Sequence, residues 1–81
     1  MIKNRALRDQ FERASLSIVL NLAEGSGKPT TKDRRKFYAI AMGSLRETQA
    51  LLKILSWQAE LKASDQLGAY LYKLIKNPGS L

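Results

Sequence analysis

The sequence contains no cysteine and no histidine, and these two absences exclude several kinds of chemistry. Without cysteine the fold has no disulfide, no thiolate metal ligand and no thiol nucleophile. Without histidine there is no imidazole base or ligand, which excludes zinc hydrolase sites and Ser-His triads. We therefore expect no metal, no cofactor, no catalytic residue and no small-molecule substrate.

Long apolar runs are also missing. No stretch approaches the roughly 18 apolar residues of a membrane-spanning helix, and the first residues lack the apolar core of a signal peptide. The chain is nevertheless 44% hydrophobic, which is too apolar for a disordered segment. We expect one folded domain over residues 1–81, located in the cytoplasm and without a membrane partner.

The chain is short and basic. Its 81 residues favour a marginal core, because a chain of this size buries only about 60% of its surface on folding. Small domains without a disulfide or a metal often depend on a second chain. The net charge of +7 favours an anionic partner such as nucleic acid.

The apolar spacing predicts three helices and no strand. The first covers about residues 4–23. One apolar stripe on it consists of Leu7, Phe11, Ala14, Ile18 and Leu22. A second stripe, in its latter half only, consists of Leu16, Val19, Leu20 and Ala23. A helix that is apolar on most sides requires more than one neighbour.

Residues 24–29, rich in glycine, predict a turn, and Thr30 is predicted to cap a second helix over about residues 31–60. Its apolar seam consists of Phe37, Ala41, Ser44, Thr48, Leu51 and Leu55. Gly43 beside this seam predicts the close packing of a neighbouring backbone. Ser64 and Asp65 are predicted to begin a third helix over residues 65–76. The predicted fold is an all-α, antiparallel up-and-down helical bundle.

Basic residues concentrate near the first turn and at the start of the first helix. Residues 1–36 carry nine of the fourteen Lys and Arg side chains. The candidate nucleic-acid-binding residues are Arg5, Arg8, Lys28, Lys32, Arg34, Arg35 and Lys36. One interpretation is a patch that contacts phosphates; the other is a solvated helix start without a ligand.

Polar residues also occur among the apolar ones. The residues that we expect to form a structural polar network are Arg13, Asn21, Glu24, Ser44 and Glu47. Pairing of Glu24 with Glu47 as a catalytic acid and base is disfavoured, because no imidazole or metal-ligand repeat accompanies them. The glycine-rich turn is not a phosphate-binding loop, since Pro29 stands where that motif needs a hydroxyl. Tyr70 and Tyr72 lie far along the chain from the basic residues, so we expect a structural role for them.

Two blocks of sequence resemble a known family. The segment 7–25 (LRDQFERASLSIVLNLAEG) and the segment 37–47 (FYAIAMGSLRE) are similar to the two signature blocks of the 23S rRNA intervening-sequence proteins, also called S23-type four-helix-bundle proteins. The blocks occur in the family's order and are separated by a basic Gly/Pro turn. The resemblance covers about residues 5–60 well.

The resemblance implies a four-helix bundle that assembles into homo-oligomers, commonly pentameric rings, and a possible role in RNA or DNA binding. Family members usually carry a further helix before the segment that matches Leu7, so the first family helix is expected to be missing here. We expect another subunit to cover the apolar face that this helix would bury. The alternative is a purely structural or protein-interaction module with no nucleic-acid role.

Overall fold

The computed structural model describes residues 2–80 and places most of them in three α-helices. Helix α1 is Arg5–Ser26, α2 is Thr31–Ile54 and α3 is Gln58–Lys76, and a 3₁₀ turn, Pro78–Ser80, follows. No strand occurs within residues 2–80. The predicted all-α class is confirmed.

Helix α1 begins and ends with capping hydrogen bonds. The Asn4 side-chain oxygen accepts a hydrogen bond from the Leu7 amide at 3.1 Å, which satisfies a donor of the first turn. At the other end the Gly27 amide donates to the Ala23 and Glu24 carbonyls. Because Gly25 is buried within the last turn, the helix continues to Ser26, beyond the predicted end at residue 23.

Helix α2 begins where the sequence predicted but ends earlier. Thr30 caps it, its hydroxyl accepting from the Asp33 amide at 3.2 Å. The predicted continuation to residue 60 is wrong, because Ser56 adopts a left-handed conformation with φ 58°. The Ser56 amide donates to the Lys53 carbonyl and the Trp57 amide to the Leu52 carbonyl. This is a Schellman motif with serine in the position that glycine usually occupies.

Helix α3 therefore begins at Gln58 rather than at residue 65. Ser64 and Asp65, the predicted cap, lie inside the helix. The Ser64 hydroxyl donates to the Leu61 carbonyl at 2.6 Å and accepts from the Gln49 amide at 3.0 Å. Ser64 thus links α3 to α2 instead of starting a helix.

The three helices form a single layer with α2 in the middle. Helix α2 packs against α1 and against α3, whereas the described parts of α1 and α3 make no close backbone contact with each other. The principal-axis extents of the molecule are 41 × 21 × 14 Å. The buried cluster consists of Ile18, Tyr38, Ala41, Leu45, Leu71 and Leu74.

The second apolar stripe of α1 has no partner within this layer. Leu16, Val19 and Leu20 are 57%, 61% and 56% exposed. We call these three residues, with the exposed Ala23, the α1 edge. The prediction that α1 has more apolar sides than this chain covers is confirmed.

Two glycines within helices differ in their surroundings. A Cβ at Gly43 would meet no atom within 4 Å, so the prediction that a neighbouring backbone packs against it is wrong within this chain. A Cβ at Gly25 would lie only 2.6 Å from Cε1 of Tyr38, whose ring is fully buried. The close approach of α1 to α2 therefore occurs at Gly25.

We expect Gly25→Ala to lower the free energy of unfolding by about 1–3 kcal/mol, because the new methyl group overlaps a ring that cannot move aside. Gly43→Ala is the matched control, and the added helix propensity should stabilise the isolated chain by about 0.5–1 kcal/mol. Urea denaturation followed by circular dichroism measures both variants. Equal stabilisation by both substitutions would contradict the close packing at Gly25.

Candidate nucleic-acid interface

The turn between α1 and α2 and the end of α3 lie at the same end of the molecule. Helix α3 runs antiparallel to α2, and its last turn therefore returns to the start of α2. The contact is direct, since Arg35 Nε donates to the Ile75 carbonyl at 3.0 Å. We call this end of the layer the joint end, and its basic side chains are Lys28, Lys32, Arg34, Arg35, Lys36, Lys73 and Lys76.

Arg34 and Arg35 hold the end of α3 against the start of α2. Arg34 Nε donates to the Lys28 carbonyl at 2.7 Å, and its Nη1 lies 3.4 Å from the Pro78 carbonyl. With the Arg35–Ile75 bond, both guanidinium groups meet backbone carbonyls that follow or end a helix, where positive charge is favourable. These two candidate residues therefore have structural partners.

Lys28 is also engaged within the chain. Its ammonium group lies 3.2 Å from a carboxylate oxygen of Glu24 and 5.1 Å from the centre of the Phe37 ring. The ion pair is on the surface, where such pairs contribute about 0–1 kcal/mol. Lys28 is thus available to another anion only at the loss of these contacts.

Lys32 and Lys36 are the two predicted residues of the joint end whose side chains have no partner among the described side chains. Both are exposed on the first turns of α2, and neither makes an ion pair or hydrogen bond with the side chains that the structure describes. The nearest acidic residue in sequence is Asp33, whose backbone amide donates a hydrogen bond to the Thr30 hydroxyl. These two side chains are free to meet phosphate groups.

Arg5 and Arg8 lie at the opposite end of α1. The helix has 22 residues, and at 1.5 Å per residue it separates its two ends by about 30 Å. The structure therefore does not bring these two candidates to the joint end. They form a separate basic region.

Lys73 and Lys76 join the cluster although the sequence analysis did not name them. They follow Arg35 by about forty positions and reach it only because α3 folds back along α2. The sequence does contain a signal for their position. An antiparallel arrangement of three helices places the last turn of the third helix beside the first turn of the second.

The expected polar network forms in part, between α1 and α2. Asn21 Nδ2 donates to the Ser17 carbonyl and hydroxyl at 2.8 and 3.1 Å, and the hydroxyls of Ser17 and Ser44 are 2.6 Å apart. Because the Ser44 hydroxyl donates to the Ile40 carbonyl, Ser17 is the donor of that pair. Ser17, which the sequence analysis missed, connects the two predicted residues.

Arg13 and Glu47 line an open groove beside this network rather than joining it. The groove measures about 440 Å³ and lies between α1 and α2. Its lining consists of Gln10, Arg13, Ala14, Ser17, Ile40, Gly43, Ser44 and Glu47. Both charged side chains stand at its border, and small side chains form much of its floor.

Glu24 and Glu47 do not form a carboxylate pair. Glu24 bonds to Lys28 beside Phe37, and Glu47 lies ten positions further along α2, about 15 Å away. Within residues 2–80 no group of three or more acidic side chains is placed to hold a metal ion. No helix in this part of the chain has the length and apolar character needed to cross a bilayer.

Comparison with known proteins gives a family match over nearly the whole chain. A family model described as 23S rRNA-intervening sequence protein matches residues 2–77, which include all three α-helices. No curated protein and no solved structure gave a match.

We expect Arg34→Ala to destabilise the fold by about 1–2 kcal/mol, because it removes charged hydrogen bonds to partly buried carbonyls. Lys32→Ala, two positions away and exposed, should change stability by less than about 0.5 kcal/mol. Thermal unfolding measures both. A loss of equal size in the two variants would show that the Arg34 contacts do not hold α3.

Proposed function

Since the chain belongs to the 23S rRNA-intervening sequence protein family, we propose that it is a non-enzymatic, oligomeric helical-bundle protein that binds RNA or DNA through its joint end. The observation that carries this proposal is the meeting of basic side chains from the turn, from α2 and from α3 at one end of the layer. A cytoplasmic location accords with a nucleic-acid partner.

Electrostatics favours a phosphate backbone as the ligand of this end. Lys32, Lys36 and Lys73 are exposed and have no acidic partner among the described side chains. Cations that replace the counterions of nucleic acid supply a large, sequence-independent part of its affinity for proteins. The two arginines support this surface by fixing α3 beside α2, so that cations from separate helices face one ligand.

Self-association is the second part of the proposal. The fold leaves the α1 edge in water, and three adjacent large apolar side chains on one helix favour burial by another chain. We propose a second copy of this chain as the partner that covers the edge. The copies of a ring, or of a two-fold dimer, would each meet this requirement.

A purely structural or protein-interaction role is the alternative function. The same α1 edge favours it, because that edge requires only a protein partner. The two functions differ in whether the cations of the joint end contribute to binding.

Lys32→Gln/Lys36→Gln should weaken binding to a 23S rRNA fragment and reduce the slope of log affinity against log salt by up to about two, since each phosphate contact contributes about 0.7–0.9. Arg5→Gln/Arg8→Gln is the matched control, because it removes the same charge at the far end of α1. Fluorescence anisotropy at several salt concentrations measures both. Equal effects of the two variants would contradict a joint-end site, and no binding by the parent would select the alternative function.

Leu16→Ser/Leu20→Ser should convert an oligomer into a monomer, because it makes the α1 edge polar without touching the core. Ile54→Ser is the control, since Ile54 is 67% exposed but lies on α2. Sedimentation velocity at micromolar concentration gives the size, and circular dichroism checks that the helices remain. A parent chain that is a stable, folded monomer would contradict this part of the proposal.

A further inference from the structure

We propose that the groove between α2 and α3 binds a single-stranded segment of nucleic acid and that Tyr72 stacks on one of its bases. This inference rests on the proposed function and names the form of nucleic acid that the protein takes. The observation behind it is an exposed tyrosine beside a lysine on α3.

Tyr72 is exposed at the joint end. Its side chain is 56% exposed on the penultimate turn of α3, and the Lys76 ammonium group lies 5.4 Å from the centre of its ring. The position far along the chain, which argued for a structural role, places the ring beside the basic cluster once α3 folds back. A large, exposed aromatic ring with a cation beside it is suited to a base and its phosphate.

The Tyr72 ring lines an open groove between α2 and α3. The groove measures about 360 Å³. Its lining consists of Met42, Arg46, Gln49, Asp65, Gly68, Ala69, Tyr72 and Lys73. A Cβ at Gly68 would lie 3.3 Å from Cδ2 of Leu45, so glycine permits close approach of α3 to α2. Gly68 and Ala69 are the small residues of this lining, and with Lys76 over one face of the Tyr72 ring, a base would stack on the other face or displace the lysine.

Cations follow the groove along its length. A second groove continues it toward the turn between α2 and α3, sharing Arg46, Gln49 and Asp65 and adding Lys53. Lys76, Lys73, Arg46 and Lys53 thus border one continuous surface. Such a basic groove with an exposed ring is typical of proteins that bind single strands without sequence preference.

The acidic residue that lines the groove, Asp65, does not lie next to the Tyr72 ring. Asp65 lies seven residues before Tyr72 on α3, about 10 Å along the helix. Its carboxylate accepts a hydrogen bond from the Gln49 amide at 3.3 Å, and Arg46 in turn bonds to the Gln49 side-chain oxygen at 3.3 Å. Next to Tyr72 the groove is lined by Lys73, and Lys76 lies over the Tyr72 ring.

The Tyr72 ring can stack on the base of a single strand but not on a base inside a duplex. In a duplex the faces of the bases are covered by their neighbours, so an exposed ring gains nothing from them. An unpaired base can lie on Tyr72 while its phosphates meet the adjacent lysines. Tyr72 should therefore contribute to single-strand binding and leave duplex binding unchanged.

The test compares Tyr72→Ala, Tyr72→Phe and Tyr70→Ala with the parent chain. Tyr70 is the matched control, since it is also exposed, at 45%, but does not line the groove. The probes are oligouridine and oligothymidine of about 12 nucleotides, and an RNA duplex of similar length. Fluorescence anisotropy at low salt gives the affinities, and circular dichroism checks the helices.

We expect Tyr72→Ala to weaken binding of both single strands by roughly tenfold, whereas Tyr72→Phe and Tyr70→Ala bind like the parent. Duplex affinity should be the same in all four proteins. A Tyr72→Ala variant that binds single strands as tightly as Tyr70→Ala would overturn the stacking site while leaving the proposed function intact. If the parent binds none of the three probes, both the inference and the proposed function fail.

Discussion

The packing of α2 against two neighbours whose described backbones make no close contact with each other is the constraint on which the rest of this structure depends. Because one helix supplies the contacts for both others, its buried positions form one broad face, on which Tyr38, Ala41 and Leu45 are almost completely buried. The same arrangement limits α1 to one covered side. The exposed apolar edge of α1 is therefore a consequence of this arrangement, and it is the observation from which the proposal of a second copy starts.

The helices could be predicted from the sequence where a turn uses glycine or a capping threonine. Residues 24–30 contain both, and the start of α2 at Thr31 was predicted correctly. The end of α2 could not be predicted in the same way, because Ser56 adopts a left-handed conformation that favours glycine. Serine, unlike glycine, does not mark the end of a helix in a sequence. The predicted helix therefore followed the apolar pattern beyond the true end of α2.

The candidate site was predictable only where its residues are adjacent in sequence. Lys32 and Lys36 are one turn apart on α2, and their proximity needs no knowledge of the fold. Lys73 and Lys76 reach the same end through the return of α3, while Arg5 and Arg8 lie a helix length away. Charge counts also cannot show that Arg34 and Arg35 bond to carbonyls of other segments. A basic segment thus contains both structural and free cations.

The order of packing has a consequence for how the chain folds. Each helix contacts the one that follows it, and the described parts of α1 and α3 do not pair, so no contact between helices requires closure of a loop longer than one hairpin. Such low contact order is characteristic of proteins that fold in microseconds to milliseconds. The α1–α2 hairpin can therefore form without α3, and its α1 edge is exposed before the third helix packs.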